Sequence, residues 1–374
     1  MGWGAGLVAG VLAAWAVGGT PPAPPAAQTP GQPFPWHTTP QPGEALTALP
    51  GPDTQAAEVA AAPGAPDVVD LCGLGRLSLP GGAATDEDSD ALDALPAPVG
   101  REPLAQAREA LLARLRGGDA SARVAGLLLD KPVLDDEAAR QAWAEALLQQ
   151  ARASQSAVAL AWAEEACAYL PDGSACRLGL VRERLRLEPD NAHHWAALAD
   201  EDPGAADEAW RGLLQAGRWQ ESPQALLVAT QAALPRELPG YLRQALGVAV
   251  RTRAAALPAP GEGFVQERCR EPQPGRQQEC DKLAHMLVDH GDSVHALSQA
   301  AQLAELAAWP RERVEAVTRE LQALTRPGAQ WAPDPQQPLS CASADGWQRH
   351  VADVAQLGEL GALRAHRTHA PEGR

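Results

Sequence analysis

From Glu102 onward the apolar side chains recur at three- and four-residue steps. Leu104, Leu111 and Leu115 share one stripe, with Pro103 in the first turn, and Ala139, Trp143, Ala146 and Leu147 share another. Val314, Val317, Leu321 and Leu324 follow Trp309-Pro310, while Trp347, Val351, Val354 and Gly358 form the last such stripe. These spacings put the apolar groups on one face of a helix, and a proline in the first turn removes only an N–H that has no helical partner. No alternation of β-branched residues competes with this period. Breakers at Gly117-Gly118, Pro132, Pro171 to Gly173, Pro189, Pro203-Gly204, Pro235, Pro239, Pro258 to Pro260, Pro272 to Gly275, Gly291, Pro310 and Pro327 cut the chain. The pieces are about twelve helices of roughly 10 to 18 residues. The expected fold is therefore all-α, with antiparallel helix pairs stacked as in an α-solenoid over residues 101–374.

Ahead of that body the pattern changes three times. Residues 2–19, GWGAGLVAGVLAAWAVGG, carry no charge. As a helix they would span about 27 Å, close to the hydrocarbon thickness of a bilayer. Residues 1–19 are read as a transmembrane anchor or a signal segment. No Lys or Arg precedes Arg76, so a basic flank is missing; either the free amino terminus serves instead or the true start lies upstream. Ala14-Trp15-Ala16 has the form of a cleavage site, and no cysteine follows the run to accept a lipid. Residues 20–66 are rich in Pro and Ala and read as a disordered, extended tether. Residues 67–100 form an extended segment, DVVDLCGLGRLSLPGG, followed by the acidic stretch DEDSDALD. In that stretch Asp86, Asp88 and Asp90 mimic a calcium loop that then lacks its glycine and its glutamate.

Composition narrows the setting. The chain of 374 residues holds 31 basic and 47 acidic side chains, a net charge of −16, which repels phosphate backbones and excludes nucleic acid as a partner. Only Lys131 and Lys282 are lysines, and Arg, Ala, Gly and Pro abound, as GC-rich codons produce. The source is read as a high-GC bacterium.

At LEPDNAHHWAALADEDPGAADEAWRGLLQAG, residues 187–217, the chain resembles a single tetratricopeptide repeat. Pro189 stands at the helix-ending proline, Trp195 and Leu198 at the first-helix aromatic and leucine, and Ala209, Leu213 and Ala216 at second-helix positions; Trp162 lies 33 residues before Trp195. Ala199 replaces the usual glycine. The likeness covers residues 160–217 and implies helix-pair stacking. A second stretch, QQPLSCAS with VADVAQLGELGALRA, resembles uncharacterised envelope proteins of high-GC Gram-negative bacteria.

The six cysteines decide the compartment. Cys167 and Cys176 bracket the turn at Pro171, and Cys269 and Cys280 bracket the turn at Pro274. Zinc knuckles and redox motifs use shorter CxxC-type spacings, whereas two cysteines across a helix turn suit a disulfide. Subtraction then pairs Cys72 with Cys341. Such bonds persist in an oxidising space. The expected location is the inner membrane, single-pass, with the body in the periplasm, or the soluble periplasm after cleavage.

Catalytic motifs are weak. His285, His290 and His295 diverge around a helix, so zinc held by Cys280, His285 and His290 is disfavoured, and no cofactor is expected. Gly291-Asp292-Ser293 echoes a GDSL-type hydrolase block but has helical flanks, and Asp292 reads as an N-cap. His193-His194 are expected on an exposed repeat face, and Arg311 and Arg313 on a solvated one. Trp143, Trp162, Trp195 and Trp210, four of eleven tryptophans, are expected in the core. The expected function is a membrane-tethered helical scaffold, not an enzyme, that binds a protein partner in envelope assembly, secretion or quality control. The alternative is an enzyme or a small-ligand or metal binder seated near residues 280–295.

Overall fold

The computed structural model describes residues 68–78, 95–132, 136–221, 223–257, 262–326 and 337–369. The anchor and tether expected over residues 1–66, and the acidic stretch of residues 86–93, lie outside these. Among the described residues no helix is long and apolar enough to cross a membrane.

The described residues are mostly helical. Its helices are α1 (Arg101–Gly117), α2 (Ala120–Leu129), α3 (Glu137–Ser154), α4 (Ala157–Trp162), α5 (Gly173–Leu187), α6 (Ala192–Glu201) and α7 (Ala206–Gln215). They continue with α8 (Pro223–Ala233), α9 (Gly240–Ala255), α10 (Glu262–Arg270), α11 (Arg276–His290), α12 (Val294–Leu306), α13 (Arg311–Thr325) and α14 (Cys341–His369). The starts follow from short polar side chains that accept an N–H of the first turn. Asp119 takes Ala122 N at 2.8 Å, Asp136 takes Ala139 N at 3.0 Å, and Ser293 takes Ala296 N at 2.9 Å. Among the described residues fourteen α-helices form rather than twelve, in part because a break can do without Gly or Pro. The α3–α4 boundary is made by Gln155 in the left-handed region and by Ser156 capping α4.

The faces differ from the expected ones in detail. In α3 Trp143 and Leu147 are buried as expected, but their companions are Ala144, Leu148 and Ala151, while Ala146 faces solvent. Residues 68–78, expected as an extended strip, fold as a hairpin. Strand β1 (Val68–Leu71) pairs antiparallel with β2 (Gly75–Ser78), Val69 facing Leu77. Gly73 and Gly75 both have positive φ, and a Cβ on Gly73 would press on Pro239 at 3.1 Å, so the GxG serves a tight turn that docks closely.

Two principal cores form. The first gathers α1 to α4, α8, α9 and the start of α14 around Leu115, Leu147, Trp162, Leu226, Leu246 and Trp347. The second gathers α6, α7 and α10 to α13 around Trp219, Leu283, Leu287, Leu297 and Leu303, with Leu360 and Leu363 from the end of α14. Full burial of each such leucine contributes about 1.5–3 kcal/mol. Helices adjacent in sequence pack on one another, but α8 and α9 also return to α1 and α2, and α14 returns to both α8 and α9. That return distinguishes the packing from a solenoid, in which each repeat touches only its neighbours.

All six cysteines are paired. Cys167–Cys176 and Cys269–Cys280 span local turns with Cα atoms 5.5 and 5.9 Å apart. Cys72–Cys341 joins residues 269 apart in sequence and fixes the hairpin turn to the start of α14. Backbone bonds reinforce it: Cys72 N donates to Leu339 O at 2.9 Å, and Tyr241 N donates to Cys72 O at 3.1 Å.

Candidate functional site

A seam of polar and titratable side chains borders the second core, and its centre is Asp292 in the α11–α12 connection. Three segments meet there. From the loop after α7, Glu221 N donates to Asp292 Oδ1 at 3.0 Å. From α14, Leu360 N donates to Asp292 O at 3.0 Å, where the helix is interrupted at Gly358 with φ +71°. The Glu359 carboxylate in turn accepts Val294 N at 3.3 Å, adding a cap from another helix to the one Ser293 supplies.

The loop is held by Asn191, the N-cap of α6. Its amide donates to Gln220 O at 3.1 Å and accepts from Gln220 N at 3.0 Å. Trp219 is fully buried beside it and donates its indole N–H to Glu221 at 3.0 Å. These bonds set Glu221 against Asp292.

Crowding of carboxylates in a half-buried place has an electrostatic result. Burial pushes the Asp292 carboxyl up to about 7, and the Glu221 and Glu359 charges add to the effect against the backbone N–H bonds. Glu359 is also raised, first by burial and then by Glu221, with His295 and Arg251 opposing. Asp292 can thus hold or release a proton near neutrality.

The histidines of the seam behave oppositely. His193 and His194, expected on an exposed face, are buried at 5% and 1% exposure. The expectation failed because the loop that carries Trp219 and Gln220, held by Asn191, covers this end of α6. Burial holds His193 well below its ordinary value, with Arg184 and His194 adding to this; burial also lowers His194. The His193 ring meets Trp219 edge-on, with centroids 5.5 Å apart. Beyond them the fully buried Arg184 is ion-paired with Glu164, whose carboxyl burial raises. Near the α14 kink, burial and Arg251 hold His350 down at about 4.

Other expected positions fall elsewhere. Asp292 does not cap α12; Ser293 does, and its hydroxyl is spent on that bond. Cys280 is joined to Cys269 and offers no thiolate. His285 packs on Trp309 at 4.6 Å and is bonded by Arg313, which lies over the same indole at 3.8 Å, while Arg311 is solvated. His290 is exposed, and His295 bonds Gln299 at 2.7 Å. The structure therefore separates His285, His290 and His295. Among the described residues no group of three or more His, Cys, Asp or Glu is placed to hold a metal ion. Trp143, Trp162 and Trp210 are buried; Trp195 is half-buried, its indole donating to Pro189 O at 2.8 Å and its ring lying on Gly212.

No family model matches the chain, and no curated protein or solved structure matches it either.

Proposed function

We propose that the protein is a disulfide-locked helical scaffold of the periplasm, tethered to the inner membrane through residues 1–19, that binds a protein partner in envelope assembly, secretion or quality control. The observation that carries this reading is the pairing of all six cysteines in three bridges, a state that belongs to an oxidising compartment. The packing of Trp195 on Gly212 between α6 and α7 supports reading residues 187–217 as one tetratricopeptide-like unit, and such units present faces to protein ligands. The tether would supply reach.

In-cell crosslinking followed by affinity purification of the C-terminally tagged protein tests this, with a control lacking residues 1–66. One envelope protein recovered in stoichiometric amount by both forms is the expected result. Recovery of the chain alone would defeat the partner reading.

A second reading, a small-ligand or catalytic site close to residues 280–295, is favoured by the protonatable Asp292 between Glu221 and Glu359. A small molecule retained in native mass spectrometry and lost in Asp292→Asn would favour it over the scaffold.

A further inference from the structure

The strongest feature outside the seam is an open groove of about 500 Å³ between α8 and α14. Its size falls in the range of ligand sites, roughly 300–1,000 Å³. Val228 and Ala232 form the wall on α8, one helical turn apart, and Val351, Ala352 and Ala355 form the wall on α14. The apolar ridges run along the groove. Gln231 donates to Gln348 across it at 2.7 Å.

The charge of the groove runs against that of the molecule. Its lining includes Arg236, in the turn after α8, and Arg243, in the first turn of α9, and no carboxylate. In a chain of net charge −16, arginines elsewhere are commonly matched: Arg114 pairs with Glu237, Arg177 with Glu201 and Arg364 with Glu320. Neither Arg236 nor Arg243 has a side-chain hydrogen bond or ion pair with a described residue. Two further groups are unsatisfied. Arg243 Nε is a buried donor without a partner, and Gln231 Oε1 is a buried acceptor without one.

We infer that this groove binds a short acidic peptide segment of a partner protein, with a carboxylate on Arg243 and Arg236 and apolar side chains between the ridges of α8 and α14. A peptide supplies what the groove lacks: an anion for the two guanidinium groups and apolar side chains for the walls on α8 and α14. This deepens the scaffold reading and rests on it, since it names the chemistry of the partner.

The test is fluorescence anisotropy on the purified, oxidised protein with a fluorescein-labelled hexapeptide of alternating leucine and glutamate. A leucine–glutamine hexapeptide serves as control. The acidic peptide is expected to bind and to weaken as salt is raised, and the control to bind at least about tenfold less well, as loss of a charge-assisted contact implies. Arg243→Gln should weaken binding at least about tenfold, and Arg243→Lys less. Ala352→Trp, which fills the groove from the exposed side of α14 and leaves both arginines in place, should also abolish binding. Equal binding of the two peptides, or unchanged binding in Arg243→Gln and Ala352→Trp, overturns the proposal. Partner crosslinking that persists in cells when the peptide does not bind overturns the groove alone and leaves the scaffold reading standing.

Discussion

At the scale of single residues, the acid–base character of the seam has a consequence for stability that depends on sign. The Asp292 carboxyl titrates near 7 in the folded protein against an ordinary 3.8. The folded state then holds a proton that the unfolded state has already released. Stability therefore declines as pH rises from about 4 through about 7, and the full cost remains above that. His350, held at about 4 against 6.5, acts in the other direction: stability declines as pH falls from 6.5 through about 4. Asn at 292 keeps an acceptor for Glu221 N and removes only the carboxylate. Asp292→Asn is expected to be more stable than the natural protein at pH 8, by about 1–3 kcal/mol after allowance for solvent at a half-exposed group, and equal to it at pH 4. Urea denaturation at the two pH values checks this. A gain of the same size at both would assign the effect to packing. Little of this site was legible in the sequence. Asp292 follows a glycine at a helix start, where capping is the common role, and only the fold brings Glu221 and Glu359 to it from 71 and 67 positions away. The histidine pair was misjudged for a similar reason, since its burial depends on the Trp219 loop.

At the scale of elements, much more was readable. Helical period in α1, α13 and the start of α14 reflects local spacing, which is independent of what lies opposite. Helix starts at Asp119, Asp136 and Asp172 likewise depend on a side chain reaching three residues ahead. Boundaries without Gly or Pro, such as Gln155, carry no such signal. The interruption of α14 is an intermediate case. Gly358 fits the apolar stripe but adopts φ +71°, and a Cβ there would lie 3.4 Å from both Asp292 Cβ and Asp292 O. The break lets the first half of α14 lay Trp347 and Val351 in one core and the second half lay Leu360 and Leu363 in the other. Gly358→Ala must either strain the left-handed conformation or straighten the helix and withdraw Leu360 N from Asp292 O. The expected cost is about 1–3 kcal/mol. Thermal denaturation together with hydrogen exchange at Leu360 would separate these outcomes. Unchanged protection there with a lower melting point means strain, lost protection means straightening, and no change in either would show that the break tolerates any residue.

At the scale of the whole molecule, α14 unites the two cores by its path, and a covalent bond fixes the start of that helix to the first core. The two short bridges were legible because each brackets a turn, so the constraint is local. Cys72–Cys341 emerged from the sequence only by subtraction, and its mechanical meaning is visible in three dimensions. It clamps the hairpin turn between Leu339 and Tyr241, and Gly240 leaves room for the sulfur, since a Cβ there would lie 2.5 Å from Cys72 Sγ. In the chain-entropy model, a bridge closing 269 residues restrains the unfolded chain by about 5.6 kcal/mol, against about 3 kcal/mol for bridges closing 9 or 11. Opening the long bridge also frees the ends of a chain whose α8, α9 and α14 return to pack together. Cys72→Ala with Cys341→Ala should therefore lower the unfolding free energy more than Cys167→Ala with Cys176→Ala, by about 3 kcal/mol on the entropic count alone. Guanidinium denaturation of the two double variants decides the point. The reverse order would mean that the unfolded chain stays compact around its helical segments, so that closure of the long loop costs little and the return of α14 is secured by packing on Trp347 rather than by the bond.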